Sequence, residues 1–432
     1  MRSYGEIGEA AWRWVLRQAQ WDESGPWIPE AAGGEKPTEY LNGMHSGIGG
    51  LAHTLAEIKL SRPWTADEQH LATSMADRIR AAVPTDNSIT FFDGLVSSIG
   101  VLTALGETGS AAAVDRALGI AIDAGWHENF LESEEKYYPG AVCNDATLGT
   151  AGALMGALWL LRHGEDARPL ADRAADLLLA EQEETPNGLN WLFIPRRFLV
   201  DPPTEMPNFS HGLAGIAALL AIAGVELQRP ELVTAAQRGA EHLVSLGIND
   251  DKGFRVARVI PWAERHGDEY TYNWCHGGAG TALLFSALEY AGVDLVAGDS
   301  PTTWRRRCLD GVRYSGIPGR LYPGFWDNDG RCCGTAGAGD AFLDAWLRDG
   351  DKQDLEFAVH LGDTLLDRVH RDGDDAYWRF IEHRNEDPLL PPGIGWMQGA
   401  AGIAAYLFRL ERMLGGDQTA VERMDNWWAL RR

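Results

Sequence analysis

Five cysteines occur in the chain, and three of them are placed for chemistry. Cys275 and Cys332 stand at equivalent points of two neighbouring sequence repeats, and Cys333 is the next residue along. Three sulfur ligands with an open fourth position suit a catalytic zinc ion. A helix starting just behind each cysteine would favour the thiolate. Two plainer readings stay open: buried free cysteine, a common state for this residue, and a redox pair. Adjacent cysteines are not a standard zinc spacing.

Around them lie groups able to move protons. His211, within Asn208-Phe-Ser-His-Gly-Leu-Ala-Gly215, titrates in the range that general acid–base work needs. It would equally serve to hold a helix-terminal carbonyl or a water. Asp145, one repeat earlier, is placed to orient His211 or accept its proton. Asp93, read at the equivalent register one repeat further back, is expected to cap a helix entry. His276 follows a candidate ligand and is expected to support the metal or touch substrate, with Asn273 and Trp274 beside it. His45 carries the least of this signal. Trp396 occupies a pocket position like Trp274, whereas most tryptophans, Trp12, Trp14, Trp427 and Trp428 among them, read as core.

These positions share a register because the chain repeats. A Gly-x-x-Gly step followed by an apolar run recurs at Gly47–Gly50, Gly149–Gly152, Gly212–Gly215, Gly277–Gly280, Gly334–Gly337 and Gly399–Gly402, with Ser97–Gly100 read as a degenerate copy. Successive second positions are 50, 52, 63, 65, 57 and 65 residues apart, the near-regular spacing of a repeat architecture. Runs such as Gly149–Leu161 are apolar on every side, and their Ala/Leu content and length favour buried helix over buried strand. Between them lie amphipathic segments: Glu9–Gln20, Thr65–Val83, Ala111–Ala124, the stripe Leu170, Ala174, Leu177 and Leu178, Pro230–Leu246, Pro301–Val312, and Leu355–Val369. The expected architecture is all-α: an α/α toroid, or double α-barrel, of seven inner and seven outer helices, with residues 1–432 as one domain. Alternation puts every inner N-terminus on one face, so the residues before each glycine step ring a common mouth. Loops of roughly 20–40 residues enter most inner helices, a length that usually signals function. The most elaborate is Asn187–Asn208, with Trp191, Phe193, Arg196 and Arg197.

Composition removes other classes. With 62 acidic and 38 basic side chains the net charge is −24, which argues against nucleic acid and anionic membrane surfaces. No Walker lysine, kinase signature or dinucleotide fingerprint occurs. The N-terminus lacks a signal-peptide layout, and the longest uncharged apolar run, Gly212–Val225, is too short to cross a bilayer. No transmembrane segment and a cytoplasmic location are therefore expected.

The chain resembles the lanthipeptide cyclases, the LanC-like family, over essentially its whole length. Asn273-Trp-Cys-His-Gly-Gly-Ala-Gly280 is similar to the family's first zinc block and Cys332-Cys333-Gly334-Thr-Ala-Gly337 to its second. Many members have histidine where Cys333 stands, and a subgroup has cysteine. Ser210-His211-Gly212 is similar to the catalytic histidine block, and Asp145-Ala-Thr-Leu-Gly149-Thr-Ala-Gly152 to the aspartate block. The resemblance implies zinc held by Cys275, Cys332 and Cys333, with His211 transferring a proton and Asp145 positioning it. The implied reaction adds a peptide cysteine thiol to dehydroalanine or dehydrobutyrine, closing lanthionine or methyllanthionine rings. The implied partners are a dehydrated precursor peptide with a leader and a separate dehydratase. One departure is clear: nisin-type members carry an arginine shortly before the first zinc cysteine, where this chain has Glu269-Tyr-Thr-Tyr-Asn273, and Arg265 lies well upstream. Other readings are addition of glutathione to dehydroamino acids in proteins, a non-catalytic peptide-binding scaffold, and a toroidal glycosidase using Asp93 and Asp145.

Overall fold

A computed structural model describes residues 3–132, 135–201, 203–264, 267–319, 328–381 and 388–430. Fourteen α-helices alternate between two layers among the described residues. In chain order they are α1 (Tyr4–Gln18), α2 (Leu51–Ser61), α3 (Ala66–Ala82), α4 (Leu95–Leu105), α5 (Ser110–Ile120), α6 (Thr150–Arg162), α7 (Arg168–Ala180), α8 (Leu213–Glu226), α9 (Pro230–Leu246), α10 (Gly278–Tyr290), α11 (Pro301–Arg313), α12 (Thr335–Asp349), α13 (Lys352–Arg368) and α14 (Ala400–Leu414). The even-numbered helices form the inner barrel. Each touches the next, and α14 returns to touch α2, closing the ring. The odd-numbered helices surround them with one apolar stripe inward, as their amphipathic pattern dictates. This is the expected α/α toroid of seven inner and seven outer helices.

The glycine steps have a steric cause. A Cβ on Gly212 would sit 1.6 Å from the carbonyl oxygen of Met206, and one on Gly280 would sit 1.8 Å from that of Trp274. Gly149, Gly277, Gly334, Gly215, Gly337 and Gly402 meet the carbonyl six residues back in the same way. The loop entering each inner helix folds over its first turn, and only glycine leaves room for that backbone. The loop carbonyls then accept the helix's first amide protons: Thr150, Ala151 and Gly152 donate to Cys143, Asn144 and Asp145, and Thr335, Ala336 and Gly337 donate to Asn328, Asp329 and Gly330. Those amides are therefore satisfied by backbone, and at Cys332 and Cys333 the expected help from a helix N-terminus loses its hydrogen-bonding part.

The same geometry corrects the second repeat. Its glycine under a carbonyl six residues back is Gly94, beneath Ser88, and α4 begins directly after it. The step is Gly94–Ser97, three residues earlier than Ser97–Gly100. Asp93 thus shares its register with His211, His276 and Cys333, while Thr90 takes the register of Asp145.

Two further features were not foreseen. Hairpins follow four outer helices: β1 and β2 (Gln20–Asp22, Gly25–Trp27), β3 and β4 (Glu183–Thr185, Gly188–Asn190), β5 and β6 (Ile248–Asp250, Gly253–Arg255), and β7 and β8 (His370–Asp372, Asp375–Tyr377). Indoles just beyond two of them pin the chain back: Trp191 donates to the carbonyl of Leu178 at 2.6 Å and Trp378 to that of Leu365 at 2.9 Å. Inner helices α12 and α14 also carry buried charge, as does α2, whose Glu57 pairs with Arg412 at 2.7 Å. Arg409 donates to Asp340 at 3.0 Å and also pairs with Asp344, while Asn426 donates to Asp344 at 2.9 Å. Burial would raise the Asp340 carboxyl, but Arg331, Arg409 and Arg423 hold it down to about 2. Residues 423–429 close the barrel at the C-terminal ends of the inner helices, where Trp428 donates to the carbonyl of Leu283 at 3.0 Å. No helix of the described residues is long and apolar enough to cross a membrane.

Candidate metal and proton-transfer site

The inner N-termini do share one face, and the loops entering them bring the reactive residues together there. Cys275 and Cys333 place their sulfurs 3.3 Å apart, and Cys333 and Cys332 place theirs 3.4 Å apart. All three Sγ atoms lie within 4.8 Å of one another, and all three residues are buried. Thiolates bound tetrahedrally to one ion at about 2.3 Å are spaced about 3.7 Å apart, so the donor set fits a metal ion of that preference. The plainer reading of scattered buried thiols describes Cys143 and Cys308, which burial pushes up and which belong to no three-ligand cluster among the described residues. Within the trio, hydrogen bonds from Cys275, Cys333 and His45 hold Cys332 well below the usual thiol range. The same sulfur contacts and burial push Cys275 and Cys333 up.

One loop away, the His211 ring is part-exposed at the mouth while Asp145 is fully buried. His211 Nδ1 lies 2.7 Å from Asp145 Oδ2. A carboxylate only accepts, so Nδ1 carries the proton and donates, leaving Nε2 as the working nitrogen. The carboxylate is otherwise fully engaged: it accepts from the Thr147 hydroxyl at 2.8 Å and from the Leu148 amide at 2.9 Å. Thr147 and Leu148 therefore fix the carboxylate that fixes the imidazole. Phe193, from the long Asn187–Asn208 loop, meets the His211 ring edge-on with centroids 5.5 Å apart. Arg196 and Arg197 of that loop pair with Glu183 and Glu181.

His276 joins the two groups. Its ring lies 5.3 Å from that of His211, and its Nδ1 is buried without a partner. Burial, reinforced by His211 and Arg258, pushes it down to about 3, so it is a neutral imidazole at neutral pH. Asn273 accepts from the His276 amide at 3.0 Å and from the Cys275 thiol at 3.3 Å, which fixes the loop presenting both. Trp274 turns away from the mouth. It packs edge-on against Phe209 at 5.4 Å and lines an internal cavity, so the structure gives it an interior place instead of one at the mouth. Trp396 likewise lies inside, beneath the Arg331 guanidinium at 4.7 Å.

Two residues change standing. Asp93 was expected to cap a helix, but Gly94 takes the cap position without a side-chain bond and Asp93 Oδ1 is buried and unpartnered. Burial pushes Asp93 up to about 7 despite the opposing pull of His45. His45, given least weight by sequence, sits against Cys332. Burial alone would lower it, but the Cys332 contact, with Asp93 and Glu30 behind it, leaves it above the ordinary histidine value. Its shared register with Cys275 and Cys332 was the signal available for it. Arg265 lies outside the described residues.

The geometry can be set beside known proteins. The profile of the family described as lanthionine synthetase C-like protein matches residues 39–414. None of the curated proteins matches the chain. Among solved structures, nisin cyclase is similar with a TM-score of 0.62 at 14% identity, covering 98% of this chain and 96% of that one. A GH76 α-mannanase from Bacteroides thetaiotaomicron follows at a TM-score of 0.49 and 13% identity, covering 96% and 98%. The GH76A α-1,6-mannanase of Salegentibacter sp. HEL1_6 scores 0.48 at 13% identity, covering 95% and 99%.

Proposed function

Because the chain belongs to the lanthionine synthetase C-like family, we propose that it is a zinc-dependent cyclase acting on dehydrated peptides. In this reading a cysteine thiol of the peptide adds to the β-carbon of a dehydroalanine or dehydrobutyrine in the same molecule. The observation that carries it is the pairing, on one mouth, of three clustered thiols with a histidine held by a buried carboxylate.

Cys275, Cys332 and Cys333 would hold the ion. Bound there, zinc supplies a Lewis acid that keeps a thiol ionised at neutral pH. The rest falls to the chain's own groups. Addition forms a carbon–sulfur bond at the β-carbon and leaves the electron pair as an enolate. His211 Nε2 takes the proton released by the thiol and delivers it to the α-carbon, so the proton lost by sulfur is the one gained on carbon. Asp145 supports the transient charge on the ring and, with Thr147, keeps Nε2 aimed outward. Neutral His276 offers a hydrogen bond to substrate without competing as a cation. Asp145 is committed to His211, Thr147 and Leu148, which leaves no free carboxylate pair with Asp93 for glycoside hydrolysis. A separate dehydratase would supply the alkene, and a leader-bearing precursor would be the partner.

The test is elemental analysis of the purified protein beside Cys275→Ala, followed by incubation with a dehydrated peptide. About one zinc per chain, lost in the variant, together with alkylation-resistant product of unchanged mass, is the expected result. A gain of one glutathione mass per ring position would move the assignment to external thiol addition. Absence of zinc after it is offered would end the thiol-activation reading.

A further inference from the structure

The mouth loops are stitched to one another by a repeated bond. His45 donates its backbone N–H to Phe92, Phe91 to Thr147, Ser210 to Cys275, Cys332 to Met397, and Met397 to His45, over 2.7–3.2 Å. Two junctions depart from this. Between the third and fourth repeats no such amide bond crosses among the described residues, and the Thr147 hydroxyl, which donates to Asp145, lies 3.2 Å from the Ser210 carbonyl. Between the fifth and sixth, no backbone hydrogen bond joins 273–277 to 328–334 among the described residues, and the link across is sulfur to sulfur.

Packing beneath the loops differs at the same junction. The second glycine of a repeat normally receives the side chain of the residue six before the preceding repeat's own second position. Gly215 lies under the Cβ of Ala146 at 3.0 Å, Gly280 under that of Phe209 at 2.9 Å, Gly402 under that of Arg331 at 3.4 Å, and Gly50 under that of Trp396 at 2.6 Å, measured from an added Cβ. At Gly337 the equivalent neighbour would be Trp274, but its three nearest atoms all belong to Arg331 of its own loop. An internal cavity of about 40 Å³ lies there, walled by α10, α11, α12 and the 423–429 segment, where Trp274 Nε1 finds no partner. The far end of the seam is held by the Arg348–Glu289 pair at 2.9 Å and by Asn426 on Asp344.

We propose that the metal at Cys275, Cys332 and Cys333 is the clasp of the ring, tying the fifth repeat to the sixth where backbone bonding lapses and a cavity lies beneath the loops. This rests on the metal-binding reading above and adds a structural task to the same ion. With the ion in place three thiolates from both repeats share one centre; without it the mouth end of the seam is held by thiol contacts alone. Loss of metal therefore loosens α10, α12 and the segment wedged at their far end, and leaves α4 and α6 as they were.

Hydrogen exchange followed by mass spectrometry tests this on the whole protein, before and after chelation, with zinc content measured on the same samples. Exchange in 278–290, 335–349 and 423–430 is expected to rise at least about tenfold on stripping, to return when zinc is restored, and to stay flat in 95–105 and 150–162. Asn426→Ala, which cuts the far-end tie, should enlarge the response to stripping. Metal removed with exchange unchanged, or raised evenly around the ring, overturns the clasp and leaves the cyclase reading intact. A protein that takes up no zinc overturns both, and the stoichiometry tells the two failures apart.

Discussion

The two irregular junctions of the ring invite comparison. At one, Asp145, Thr147 and His211 replace an amide bond with a chain of side-chain hydrogen bonds that is satisfied as it stands. At the other, Cys275, Cys332 and Cys333 replace it with three clustered sulfurs that could share one ion. The five remaining junctions each keep a backbone bond of that pattern. Reactive groups have entered this fold where the stitching was given up, and the two exceptions differ in how much they depend on something from outside. A hydrogen-bonded junction is preorganised by the chain; a thiol junction, in the reading proposed above, would be completed by a metal.

The largest effect should separate these dependencies outright. Cys275→Ala is expected to abolish both metal and turnover, whereas His211→Ala should keep full zinc and lose on the order of 10²–10⁴ in kcat, read by elemental analysis and product mass on the same preparations. Equal metal loss in both would erase the distinction. If either Cys332→Ala or Cys333→Ala retained full zinc, the three-ligand assignment would fail.

A regular junction supplies the next contrast. Glu128, which accepts from the Ile89 amide at 2.8 Å between the second and third repeats, is pushed by burial up to about 7. The folded state thus keeps a proton that the unfolded chain releases near 4.5, so this group's contribution falls as pH rises between those values. Glu128→Gln preserves the accepting oxygen and should flatten stability across that window, gaining up to roughly 3 kcal/mol above pH 7 and nothing at pH 4. Chemical denaturation at the two pH values decides it; an unchanged slope would count against the buried acid.

Thr147→Val asks how much the hydroxyl stitch contributes. It leaves the Asp145 carboxylate one donor short and should cost about 1–2 kcal/mol with a several-fold loss of kcat and no loss of zinc. Smallest is Gly119→Ala on outer helix α5, where an added Cβ meets nothing within 4 Å. A gain of about 0.5–1 kcal/mol by thermal unfolding, with turnover untouched, is expected from helix propensity alone.

How far the sequence spoke depended on what each feature asks of a residue. Glycine steps announced the inner helices because a carbonyl lies where a Cβ would be, a demand that leaves a mark at every repeat. The mark failed once, in the second repeat, where Ser97 takes the second place and Gly100 offered a false substitute. That slip moved Asp93 from the register of His211 to that of Asp145 and gave it a capping role it lacks. Three-residue hairpin strands are too short for alternation to register. The charges of α12 and α14 were hidden differently: nothing in the local pattern marks Asp340, Asp344 and Arg409 as buried, because their burial depends on partners at distant positions, Arg331 and Asn426 among them. His45 shows the same limit, for its register was visible but its contact with Cys332 exists only once the ring is shut.

That shutting has a consequence for how the chain is made. Tyr4 on the first helix donates to Asp363 on the thirteenth at 2.5 Å, the fourteenth packs on the first and second, and 423–429 seal the barrel from below. During synthesis α8, apolar all round, emerges about two hundred residues before these closing pieces do. At 5–20 residues per second it waits roughly ten seconds or more with sticky faces uncovered. Chaperone demand and loss to aggregation should thus be set by how late α13, α14 and 423–429 emerge, and a chain stalled after α12 would have nowhere to bury its barrel.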